Sequence, residues 1–90
     1  MPPEFESFLR IRCVIHPVLS YALGDFVSDL QEAIPPVLRD EWPRRRVIHA
    51  LTDAGFFIAT ENRCAMILGI APKSPAVLER LRWLERSRLG

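Results

Sequence analysis

The stretch from Trp42 to Pro72 constrains this 90-residue chain most, because its apolar spacing changes period partway along. Val47, Ala50, Leu51 and Ala54 recur at helical intervals, with Ile48 at the border of the stripe. Pro43 suits the first position of that helix, and Gly55 is the expected stop at its far end. Beyond the glycine the pattern turns to strand. Phe57 to Thr60 and Cys64 to Ile70 are rich in strand formers, and Glu61-Asn62-Arg63 between them predicts a turn. A helix, a glycine stop and a hairpin in direct succession leave few folds open.

The residues before this stretch supply further helices. Phe5, Phe8, Leu9 and Cys13 share one face of a helix starting near Pro3, and Pro17 bars it from running further. Ser20 to Leu23 reads as a short extended segment, able to add a third strand to the later hairpin. Gly24 and Asp25 offer a stop and a cap before a helix carrying Phe26, Val27, Leu30, Ala33 and Ile34. Pro35-Pro36 closes that helix, and Val37 to Glu41 makes about one further turn. At the other end, Ser74-Pro75 predicts a capped last helix. Its Val77, Leu78, Leu81 and Leu84 form a stripe expected to pack on the domain, with Trp83 at the edge.

Two short helical segments split by a tight break, the second ending in glycine and leading into a basic hairpin, give the layout of a winged helix-turn-helix. The expected fold is α+β and mostly helical, with an extra helix at each end. One domain spans residues 1–90, with its core over about 20–72 and the last helix over about 74–89.

Charge is unevenly placed. The net charge is only +1. Asp25, Asp29, Glu32, Asp40 and Glu41 nevertheless cluster in the middle of the chain against Arg39 alone, whereas Arg44, Arg45 and Arg46 open the next helix. On that helix Arg45, His49 and Thr52 lie opposite the apolar stripe, and Arg63 falls at the strand turn. This arrangement predicts a DNA-binding face. Arg45 and His49 would meet base edges, Arg44, Arg46 and Arg63 would hold phosphates, and Thr52 would lie beside them. The same arginines suit the carboxylates of an acidic protein partner, or of the acidic helix before them. On the last helix Trp83 and Arg80 are candidates for a partner interface, including a homodimer through that helix.

Other chemistries find little in the sequence. Cys13-x-x-His16 has metal-like spacing, and His49 and Cys64 could join it, but the second close-spaced pair of a zinc module is missing, so no metal is expected. Both cysteines read instead as buried apolar residues. Neither Cys–His pair gathers an acid or an oxyanion donor, and the glycines are scattered singly, so neither an enzyme nor a cofactor is expected. No apolar run approaches the roughly 18–20 residues that span a membrane. The N-terminus is acidic where a secretory signal is basic, and the cysteine use fits a reducing, cytoplasmic setting.

Across about residues 5–72 the sequence resembles the C-terminal winged-helix domain of phage and plasmid primase-helicases, the poxvirus-like primase ATPases included. Phe8 to Val14, Asp25 to Ala33, Arg46 to Phe56 and Asn62 to Ile70 carry the likeness. Two places depart from that family. Ile34-Pro35-Pro36 stands where the second helix usually ends in aromatics, and Ala65-Met66 where the wing strand carries one. The resemblance implies DNA binding in replication or transcription control of a phage or mobile element. Because the chain opens at Met1 with no ATPase ahead of it, it also implies a free-standing version. The alternative expectation is a protein-binding winged helix, either an assembly adaptor or a small phage-encoded inhibitor.

Overall fold

The computed structural model describes residues 2–89. The order of elements is α1 (Pro3–Arg12), β1 (Cys13–Ala22), α2 (Leu23–Ala33), a 3-10 segment (Pro36–Glu41), α3 (Arg44–Asp53), β2 (Phe57–Glu61), β3 (Cys64–Pro72) and α4 (Pro75–Leu89). The strands form one antiparallel sheet in the order β1-β3-β2. Helices make up most of the chain, so the fold is α+β and mainly helical, as expected. No helix among the described residues is long and apolar enough to cross a membrane.

Several helix ends are set by identifiable chemistry. Glu4 and Glu6 sit in the first turn of α1 and Arg10 and Arg12 in its last, both favourable to the helix dipole. α2 ends where Pro35 forces Ile34 into extended geometry (φ −87°, ψ 156°). α3 ends in a Schellman motif: the N–H of Phe56 donates to the Leu51 carbonyl and that of Gly55 to Thr52, both at 3.0 Å. Gly55 holds φ +94°, a conformation that costs a residue with a side chain. At the start of α4 the Ser74 hydroxyl accepts from the Val77 N–H, as its predicted cap should.

The core is aromatic. Phe5, Phe26 and Trp42 are fully buried together with Leu23, Leu30, Val47, Leu51, Ile67 and Ile70. Phe5 stacks on Trp42, with ring centroids 5.3 Å apart, and meets Phe26 edge-on. Phe8 and Tyr21 also meet Phe26 edge-on, so Phe26 joins α1, β1 and α2. Such pairs add about 0.5–1.5 kcal/mol each beyond burial. The buried cluster therefore begins at Phe5, and α1 contributes to it.

Several other expectations are corrected. The third strand starts at Cys13 and is far longer than Ser20 to Leu23, while Leu23 opens α2. Cys13 to Ile15 pair with Pro72 to Ile70, and pairing resumes at Ser20 opposite Leu68. The residues between, His16 to Leu19, bulge out opposite the single Gly69, whose φ of +89° turns the partner strand there. Pro17 is tolerated because a bulge asks for no ladder donor at that point. Neither Gly24 nor Asp25 caps α2, whose boundary residue is Ala22 with no side-chain bond; Asp25 lies in the first turn instead. Pro43 precedes α3 as its boundary residue. Glu61 pairs with Cys64, so the hairpin loop is Asn62-Arg63 alone. Cys64 is exposed, and only Cys13 is buried. Finally, α4 does not bury its stripe. Val77 and Leu81 are half-buried, and Leu78, Trp83 and Leu84 are exposed.

Candidate nucleic-acid interface

α3 presents two unlike faces. Val47 and Leu51 are fully buried on one side, so Arg45, His49 and Thr52, spaced to share the opposite side, are exposed. Arg44 is exposed beside them. The first-turn cations oppose the helix dipole, at about 0.3–1 kcal/mol each, and the cost is not the same for all three. Arg46 is compensated within the fold. Its guanidinium lies 4.1 Å from the centre of the Trp42 ring, and its Nη1 donates to the Glu41 carbonyl at 2.6 Å. Arg46 is thus half-buried and engaged within the fold. Arg44 and Arg45 keep their donors exposed.

The anchor beneath Arg46 is well held. Trp42 Nε1 donates to Glu4 Oε1 at 3.1 Å, and the Trp42 carbonyl accepts from Gln31 Nε2 at 3.1 Å. Arg39 donates to the Gln31 carbonyl at 2.7 Å. Both Arg39 and Arg46 therefore bond main-chain carbonyls, not the carboxylates of Asp40 and Glu41 that lie next to them in the chain. Thr52 is engaged locally, its hydroxyl donating to the Ile48 carbonyl at 2.9 Å. Arg46, His49, Ala50 and Asp53 line an open depression of about 360 Å³ with Pro2 and Trp42.

Arg63 sits at the extreme of the β2-β3 hairpin. Asn62 (φ +48°) and Arg63 (φ +66°) are both left-handed, the geometry of a two-residue type I′ loop. Asparagine accepts that conformation more readily than arginine, which usually yields the second place to glycine. An exposed arginine at a position that favours glycine is a residue the turn itself does not ask for. α3 packs against β2, so the hairpin follows directly from the helix carrying the arginines.

Two features escaped the sequence reading. Asp29, expected on a free acidic face, accepts a hydrogen bond from the Tyr21 hydroxyl. Burial raises the Tyr21 phenol well above its ordinary value, and the bond to Asp29 adds to the effect. Burial also pushes the Cys13 thiol up to about 12, with the Asp29 charge raising it and Lys73 lowering it. Tyr21, Asp29 and Lys73 line an open groove of about 350 Å³ with Arg12 and Glu32. The second feature is Phe57, which is 77% exposed although it lies in a strand. It pairs with Leu68, itself paired with Ser20, on the face of the sheet opposite Tyr21, Ile58 and Ile67. The register jump at Gly69 is what sequence alternation could not foresee.

The other candidate residues lie elsewhere. Cys13 and Cys64 stand at opposite ends of the sheet, paired with Pro72 and Glu61. Trp83 and Arg80 are exposed on α4. No family model, curated protein or solved structure matches the chain.

Proposed function

We propose that the chain is a winged helix-turn-helix protein that binds double-stranded DNA through the start of α3 and the hairpin tip. The observation that carries this reading is the division among the three arginines. Arg46 is satisfied inside the fold, whereas Arg44 and Arg45 stay exposed at a helix start that disfavours them, so a polyanion outside the fold would compensate them. The sequence of elements supports it as well. A helix, a strand, three helical segments, a glycine stop and a hairpin, with the first strand added beside the third, follow one another in an order compatible with a winged helix. In this reading Arg45 and His49 face base edges, Arg44 and Arg63 hold phosphates, and Arg46 orients the helix. The likeness to primase-helicase domains extends the proposal to replication or transcription control of a phage or mobile element.

The experiment is fluorescence anisotropy with random-sequence duplex DNA over a range of salt. The two phosphate contacts, from Arg44 and Arg63, give a log–log salt slope of about −2. Arg44→Ala and Arg63→Ala each reduce affinity and flatten the slope by about one, whereas Arg45→Ala, at a base edge, leaves the slope unchanged. Absence of binding at low salt overturns the proposal. A protein partner is the second reading, favoured specifically by the exposure of Phe57, an apolar ring that phosphate binding does not use. Loss of function in Phe57→Ser with DNA affinity intact would select it.

A further inference from the structure

Among the described residues, α4 is the one α-helix that buries no side chain in the core. At 15 residues it has the length at which an isolated helix is marginal in water, where tertiary packing usually supplies most of the stability. Its half-buried positions, Val77 and Leu81, lie on one side. On the opposite side Pro75, Leu78, Glu79, Arg82, Trp83 and Arg86 line an open depression of about 530 Å³ along the helix. Trp83 is 68% exposed and Leu78 40% exposed there. An apolar pair flanked by both signs of charge, on a helix with little else to stabilise it, is an interface lacking its occupant.

We propose that the occupant is a second copy of this chain, docked by antiparallel pairing of the two α4 helices. The charge order selects this partner and direction. About a two-fold axis between residues 82 and 83, Glu79 of one copy stands opposite Arg86 of the other. The symmetry repeats that pair, so the interface holds it twice. The same axis brings both Trp83 rings to the centre, each facing the Arg82 guanidinium of the other copy. A parallel pairing would instead oppose Glu79 to Glu79 and Arg86 to Arg86. Contact through one helix is small, so the dimer is weak and concentration-dependent.

Sedimentation equilibrium of the full chain and its charge-reversal variants tests the pairing. The wild-type mass rises from monomer towards dimer with concentration. Glu79→Arg alone, or Arg86→Glu alone, weakens association by about tenfold or more, because each replaces two attractive contacts by two repulsive ones. An equimolar mixture of the two variants recovers the dimer, since each then offers the charge that the other lacks. Unchanged circular dichroism and melting at low concentration show that the variants still fold, as expected of residues outside the core. A wild-type chain that stays monomeric up to about 1 mM overturns the proposal. So does self-association of either variant as strong as wild type, or a mixture that fails to recover.

Discussion

The two tryptophans divide the molecule into a region that is finished and a region that is not. Trp42 is fully buried, stacked on Phe5, bonded to Glu4 and covered by Arg46. Trp83 is 68% exposed on a helix with no buried core residue among the described side chains. The residue type is the same, and the difference lies in what the chain places around it. Trp42 draws neighbours from α1, α2 and α3, which converge because each carries an apolar stripe aimed at the same centre. Trp83 lines an open depression with other residues of its own helix. The contrast separates a side chain that specifies the fold from one available to a partner.

The largest effect that would break this contrast is on Trp42. Trp42→Ala removes the stacking surface of Phe5, the partner of Glu4 and the platform of Arg46 together. It should destabilise the protein by about 3–5 kcal/mol and lower Tm by more than about 10 °C. Chemical denaturation monitored by circular dichroism measures it. A loss below about 1 kcal/mol would mean that the ring is not the centre of the core.

Much of this division is legible in the sequence. The stripes of α1, α2 and α3, the stop at Gly55 and the Ser74-Pro75 start of α4 are each written within one turn or one loop, where periodicity and capping act. What could not be read depends on residues far apart in the chain. The extent of β1 is set by β3, and the jump from Ile15 to Ser20 opposite Gly69 destroys the alternation that would have revealed a strand running through Pro17. The stripe on α4 would look the same whether it met its own domain or another chain. Arg46 belongs with the unread part: three successive arginines look alike in sequence, and only the position of Trp42 distinguishes this one.

Arg46 gives the next largest effect and sharpens the contrast within the candidate interface. Arg46→Ala loses the contact with the Trp42 ring, about 0.5–2 kcal/mol, and the bond to the Glu41 carbonyl. The expected destabilisation is about 1–2 kcal/mol, measured by urea denaturation. Arg45→Ala, on an exposed side chain, should stay within about 0.5 kcal/mol of wild type. Equal effects from the two variants would erase the distinction between anchoring and free arginines on α3.

The smallest effect is expected at Trp83, and its smallness is informative. In dilute solution Trp83→Ala should change stability by less than about 0.5 kcal/mol, since the ring is mostly in water before and after. At high protein concentration the comparison should diverge. A dimer that binds only folded chains stabilises them by mass action, so the wild-type Tm should rise with concentration while that of the variant stays flat. Melting curves over a hundredfold range of concentration measure both predictions on the same samples. A loss above about 1 kcal/mol in the dilute samples would mean that Trp83 packs on its own domain in solution, which would bring α4 into the finished region alongside Trp42. Flat curves for both proteins would leave α4 outside the core and also without a second copy to cover it.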